Sequence, residues 1–245
     1  MPGSLRKARG REGARIVAKR FHSPPRLVKA AMEQRARLPL SLFFFAILYG
    51  GMVCMAGVLG VKQVALGPLA VEAGVFAFLL LVVMSSAVAE LYGQRAATLL
   101  VRLGFVPLFV SAALIQIVLA LPADPSMYPP AVNAFPIVVG QGVRLMLAGF
   151  ISYGTSQTLN VLLFDRLRAG TGQMVWLRGM IASIASQILD TVLFITIGFL
   201  GERPILALMG GQMLTKVVLS VALVPVLITL FVRLGRWLDQ RGPVV

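Results

Sequence analysis

The sequence predicts an all-α, polytopic membrane protein with six transmembrane helices, and two observations carry that reading. Of its 245 residues, 58% are apolar and only 13% charged, with a mean hydropathy of +0.87; soluble domains carry about 25% charged residues. The charges are also segregated, leaving apolar runs of about 20 residues, the length that spans a bilayer. These runs are continuous rather than alternating, which argues against a β-barrel.

Residues 1–37 hold 11 of the 23 Lys and Arg against two acids, Glu12 and Glu33. With a Ser-Pro-Pro break at 23–25 and no long apolar face, the arm reads as a disordered or surface-lying cytoplasmic tail touching anionic lipid headgroups. Its charged region is too long for a cleaved signal peptide, and a transit peptide is the weaker alternative. Residues 38–235 form a six-helix transmembrane domain, with spans at 39–60, 68–89, 97–121, 136–164, 176–200 and 205–232, and residues 236–245 form a cytoplasmic C-terminal tail. The fourth span is the least regular: it holds Gly140, Gly142, Arg144, Gly149 and Gly154, which permit close helix approach or a local break.

Loop charges orient the chain. Arg95, Arg166, Arg168 and Arg178, then Arg233, Arg236 and Arg241, fall on one side, whereas the other carries Lys62 and Arg203. The positive-inside rule puts both termini in the cytoplasm, and six spans require them to share a side. Lys62 reads as a snorkelling residue at the outer end of the first span, and Trp176 with Arg178 as an aromatic anchor followed by an inside charge. The net charge of +14 is explained by this rule without nucleic acid.

Two apolar runs repeat one polar pattern, SQTLNVLLF at 156–164 and SQILDTVLF at 186–194. On helices, Tyr153, Gln157, Asn160 and Phe164 share one stripe, and Ser183, Gln187, Asp190 and Phe194 share another. Such faces turn away from lipid. Amides can act there simply as interhelical glue, at about 0.6–2 kcal/mol per bond. Asp190 favours a pocket, because a carboxylate at mid-span costs about 3 kcal/mol or more unless paired or protonated; Arg144 and Lys216 are its candidate partners. Carboxylate and amides suit a planar ligand with several N–H donors, and Tyr153, Phe164 and Phe194 could stack on a flat ring. A third polar station, AELYGQRAA at 89–97, contains Glu90, Tyr92, Gly93 and Arg95 and reads most simply as a membrane-boundary turn.

Other classes lack their chemistry. Cys54 is the one cysteine and His22, in the polar arm, the one histidine, so no disulfide, cysteine cluster or intramembrane histidine site can be assembled. No metal or cofactor is expected, because carboxylates in the spans are too few for a metal cage. Intramembrane proteolysis needs a Ser–His pair, two aspartates or HExxH, and Asp190 is the one aspartate well inside a span. A ligand-free assembly factor remains, and would bury the stripes as plain helix contacts. The chain has no GxxxxGK[ST], so it cannot hydrolyse ATP by a P-loop; it acts alone or docks to an energising partner, and a homo-oligomer is compatible with the sequence.

The segments ELYGQRAA (90–97), SQTLNVLLFDRLR (156–168), WLRGMIASIASQILDTVLF (176–194) and IGFLG (197–201) together resemble the queuosine precursor transporter family, also called the vitamin uptake transporter family. The resemblance covers roughly residues 40–235. It implies a six-helix bacterial inner-membrane protein similar to the substrate-binding components of energy-coupling-factor transporters, importing 7-deazaguanine precursors of queuosine, 7-cyano-7-deazaguanine above all and 7-aminomethyl-7-deazaguanine besides. It favours solitary action. The family pattern falls on Lys62, Glu90, Tyr92, Gly93, Arg144, Ser156, Gln157, Trp176, Arg178, Ser183, Gln187 and Asp190. Two acids usual in the family are replaced, by Ser86 and Asn160. The expected substrate site combines Glu90, Arg144, Tyr153, Gln157, Asn160, Ser183, Gln187 and Asp190.

Overall fold

The computed structural model describes residues 38–66, 69–140, 143–171, 174–201 and 205–242. The basic arm 1–37 and Arg203 lie outside the described residues. From Leu40 to Arg241 the chain forms one compact unit, built of α1 (Leu40–Gly60), β1 (Gln63–Leu66), β2 (Leu69–Glu72), α2 (Gly74–Tyr92), α3 (Gln94–Ala120), α4 (Pro129–Val139), α5 (Val143–Arg166), α6 (Arg168–Thr171), α7 (Val175–Phe199) and α8 (Ile205–Asp239).

Five helices are long and apolar enough to cross a membrane, and six spans result if α4 and α5 count as one, bent by 45° at their break. The fold is that of the all-α polytopic membrane protein the sequence predicts. Its apolar surface faces outward, as a bilayer requires: Leu99, Val106, Phe109, Val110, Leu114 and Ile117 are all exposed along α3. The most buried helix is α2, which contacts α1, α3, α5, α7 and α8. The longest packing seams run between α5 and α7 and between α7 and α8, so the two helices carrying the repeated polar pattern lie side by side.

Four boundaries differ from those expected. The second span begins at Gly74 instead of 68, because β1 and β2 pair antiparallel in a short hairpin, Gln63 opposite Glu72 and Leu66 opposite Leu69. The loop expected at 90–96 is a single-residue break. Gly93 ends α2 with φ 86° and ψ 168°, donates its N–H to the Ala89 carbonyl at 3.0 Å, and lets α3 start at the next residue; that backbone region is essentially restricted to glycine. The proline-rich segment 121–136 is helical from Pro129 onward, since proline is well suited to the first turn, where its missing N–H has no helical partner. Finally, α8 continues to Asp239, past the boundary drawn at 235, and Asp239 accepts a hydrogen bond from the Ser41 N–H at 3.1 Å, tying the two ends of the bundle together.

Candidate functional site

The interior is polar in layers, and the layers follow from helix direction. Descending α5 from the hairpin end gives Tyr153, then Gln157, then Asn160; α7 runs the opposite way, so Asp190 lies nearest the hairpin, then Gln187, then Ser183. At the hairpin end a cavity of about 540 Å³ opens between α1, α3, the α4–α5 break, α7, α8 and β2, with Phe78 of α2 on its wall and Tyr153 and Asp190 at its depth.

Asp190 is paired. Lys216 donates to its Oδ2 at 3.1 Å, and the Ser156 hydroxyl lies 3.5 Å from Oδ1. Of the two candidate partners, the structure therefore selects Lys216. Arg144 is turned elsewhere: its Nε and Nη2 donate to the carbonyls of Ile197 and Leu200 at 2.7 and 2.6 Å. Those carbonyls end α7, where a cation is favoured by the helix dipole.

Tyr153 sits against α3, its hydroxyl 3.2 Å from the Val101 carbonyl and 3.1 Å from the Tyr49 hydroxyl. This is possible because position 104 is glycine. A Cβ there would lie 2.3 Å from the Tyr153 hydroxyl and 2.8 Å from the Tyr49 ring.

Below the cavity the amides are closed in. Gln157 Oε1 accepts from Ser85 at 3.3 Å, while its Nε2 has no partner. Gln187 is fully buried with neither amide atom bonded. Asn160 donates toward the Ser85 and Ser86 hydroxyls, each at 3.0 Å, and toward the Val82 carbonyl at 3.3 Å. Ser183 meets Ser220 of α8 at 3.1 Å. These groups join α2, α5, α7 and α8, and for Asn160 and Ser183 the helix-joining role is visible in the bonds themselves.

At the opposite end Arg178 donates to Glu90 at 2.8 Å and lies 4.7 Å above the Phe164 ring. Phe164 thus covers a guanidinium from one side. Tyr92 is hydrogen-bonded to Ser41 and Asp239, so ELYG clamps α2 to the start of α1 and the end of α8. Trp176 is exposed in the first turn of α7, and the Lys62 side chain is exposed where the hairpin begins.

The expected residues therefore divide. Tyr153 and Asp190 line the cavity; Gln157, Asn160, Ser183 and Gln187 lie beneath it; Glu90 and Arg144 are outside it. Sequence reasoning missed Glu72, which lines the cavity and accepts from Gln212 Nε2 at 3.0 Å. Burial raises the Glu72 carboxyl above its ordinary range; Lys216 and Gln212 act against the rise, and Asp190 adds to it. The signal was available, since Glu72 is an acid inside the expected span 68–89 and such residues are costly enough to be functional candidates by default. Among the described residues no three His, Cys, Asp or Glu side chains cluster as metal ligands.

Comparison with known proteins gives the same class. Residues 72–230 match the family described as "Putative vitamin uptake transporter". Over 117 residues the chain is 30% identical to a protein of Bacillus subtilis (strain 168) named "Probable queuosine precursor transporter". That match covers 47% of this chain and 50% of the relative, so it spans about half the relative's length. No solved structure matches the chain. With the family match covering well over half of the sequence, from Glu72 into α8, this multi-pass membrane protein belongs to the vitamin uptake transporter family.

Proposed function

We propose that this transporter imports a 7-deazaguanine precursor of queuosine, with 7-cyano-7-deazaguanine the first candidate. The observation that supports this best is the cavity at Asp190. Its volume of about 540 Å³ lies within the range of small-molecule sites, roughly 300–1,000 Å³. Its charged lining groups are Asp190 with Lys216 and Glu72, which Gln212 holds from behind, while Phe78, Tyr153 and Phe194 supply flat apolar surface. A purine-like ring has the complementary pattern: adjacent N–H donors for a carboxylate, a ring carbonyl for an ammonium, and two faces for aromatic contact. The name carried by the Bacillus subtilis relative points to the same ligand class.

In this mechanism Asp190 accepts the N–H edge of the ring and Lys216 turns toward its carbonyl. Glu90 is left out, being held by Arg178. Gln157 and Gln187 have unbonded amide atoms one helical turn beneath; they take over the ring's polar edge as the helices shift to open the opposite end. Loop charge supports an orientation with the hairpin outside and both termini in the cytoplasm, and the family resemblance supports a bacterial inner membrane. The chain works without an energising subunit.

The deciding test uses a bacterial host that neither makes nor imports 7-deazaguanines. The chain is expressed there, the cells are fed 7-cyano-7-deazaguanine, and tRNA is assayed for queuosine. Queuosine is expected with the wild type and not with well-expressed Asp190→Asn. A correctly inserted wild type that restores none at any precursor concentration rejects this substrate and turns the search to other planar heterocycles and vitamins.

A further inference from the structure

We propose that Glu72 is the proton-binding group that couples this transporter to a proton gradient, one proton entering with each ligand. Among the described residues, Glu72, Glu90 and Asp190 are acids held between the spans or at the cavity, and two of these are paired with cations. Glu90 is paired with Arg178 at 2.8 Å and Asp190 with Lys216 at 3.1 Å. These are the ion pairs within 4.0 Å among the described residues, and Glu72 is in neither. Its one polar partner is the neutral Gln212 amide at 3.0 Å.

Among the described residues Glu72 has no cation of its own within ion-pair distance. On α8 it faces Gln212 and, farther off, Lys216, whose ammonium is committed to Asp190 of α7. On β1 it stands opposite Gln63; neighbouring Lys62 gives the hairpin its backbone carbonyl, accepting from the Ala73 N–H at 2.8 Å, and exposes its side chain. The α1 and α5 walls of the cavity bring the Cys54 thiol and the Tyr153 phenol, neither of them cationic. With every acid ionised, the group Glu72, Asp190 and Lys216 carries a net charge of −1; with Glu72 protonated it is neutral.

That difference matters when the cavity closes. Closing the walls over a ligand removes water, and an uncompensated carboxylate is expensive in that setting. Protonation of Glu72 from the hairpin side removes the charge without breaking the Lys216–Asp190 pair. The loaded, protonated cavity closes, and Glu72 releases its proton when the opposite end admits water. Gln212 keeps the carboxyl aimed into the cavity in both states, since its amide can donate to a carboxylate or accept from a carboxylic acid.

A purely structural Glu72 would only fasten the hairpin to α8. Glu72→Gln separates the two roles, because an amide preserves the bond to Gln212 and cannot carry the proton. The proposal uses the queuosine-precursor reading only for its labelled ligand. Full-length protein is reconstituted in vesicles with radiolabelled 7-cyano-7-deazaguanine. Wild type is expected to accumulate it under an inward proton gradient, up to about tenfold per pH unit for one proton per ligand. Glu72→Gln is expected to lose accumulation yet still exchange labelled for unlabelled ligand at equal pH. Accumulation by Glu72→Gln equal to wild type overturns the proposal, as does a wild type that exchanges ligand without responding to the gradient. If wild type neither accumulates nor exchanges this ligand, the substrate reading fails, and a ligand-free measurement decides the proton site. Infrared spectra of the purified protein should show a protonated-carboxyl band that titrates well above the ordinary glutamate range of about 4.3, disappears in Glu72→Gln and persists in Asp190→Asn. Absence of that band overturns the proposal.

Discussion

Asn160 Nδ2 lies 3.0 Å from the Ser86 hydroxyl across the α5–α2 contact. At both positions the family resemblance implies an acid, and in the fold the two residues present are bonded partners. A layer that would hold two facing acids holds a neutral amide–hydroxyl pair instead, and Ser85 completes it at 3.0 Å from the same amide.

Restoring the acids tests that coupling. Asn160→Asp alone faces the donors of Ser85 and Ser86 and is expected to be tolerated. Ser86→Asp together with Asn160→Asp places two carboxylates at hydrogen-bond distance. The double variant should be less stable than the sum of its singles by about 1–3 kcal/mol, with the deficit shrinking in acid. Thermal unfolding in detergent at several pH values reads this directly; additivity at all pH values would show that the two positions do not interact.

The Lys216–Asp190 pair is the second target. Both side chains are nearly enclosed, at 7% and 11% exposure, so removing one leaves a charge without its partner. Lys216→Met alone should destabilise by about 3–5 kcal/mol, and Lys216→Met with Asp190→Asn should recover most of that loss. Uptake should return in neither. Recovery of uptake in the double variant would make the pair structural.

Gln187 separates glue from function more sharply than any other residue. Its side chain is buried and makes no hydrogen bond, so Gln187→Leu removes an unsatisfied group and should leave stability unchanged or raise it by about 1–3 kcal/mol. If the amide serves the ligand, uptake falls at least tenfold in a protein that is no less stable. Loss of stability on substitution would identify a structural contact instead.

Much of this was legible in the sequence for a physical reason: in lipid, every apolar span and every buried polar group carries a large free-energy signature. Six apolar runs and the twin SQ patterns give the helices, and the steps of three and four put Gln157 with Asn160 and Gln187 with Asp190 on shared faces. What the pattern did not carry was depth. Asn160 and Asp190 hold the same place in the repeated pattern, yet α5 and α7 run in opposite directions, so of the two stripes only Tyr153, Asp190 and Phe194 reach the cavity. Arg144 reads as a site residue because it is a candidate partner for Asp190 and a position of the family pattern; its binding of the α7 carbonyls depends on where α7 ends. Glu72 escapes notice because the second strand of the hairpin falls where the sequence reads as the start of the second span, 68–89.

Gly93 makes the connection between α2 and α3 without a loop, at φ 86° and ψ 168°. Gly93→Ala should cost about 1–3 kcal/mol from backbone strain, although an added Cβ would meet nothing within 4 Å. Strain without a clash is thus isolated at this position. Because Tyr92 and Glu90 immediately precede it, the substitution should also weaken the Tyr92–Asp239 and Arg178–Glu90 contacts. Thermal stability unchanged from wild type would show that the turn relaxes to an ordinary backbone.

The one thiol gives direct access to the cavity. Cys54 lines it from α1, is partly exposed, and sits 3.6 Å from the Pro107 carbonyl. With the hairpin outside, a membrane-impermeant maleimide added to intact cells should label Cys54, and a saturating ligand should slow labelling at least tenfold by filling the cavity and excluding the reagent. Gly57→Trp on the same lining face, one turn along α1, should slow labelling without ligand and reduce uptake in parallel. Labelling that proceeds only in inverted vesicles would place the hairpin on the cytoplasmic side and reverse the direction of transport proposed for this cavity.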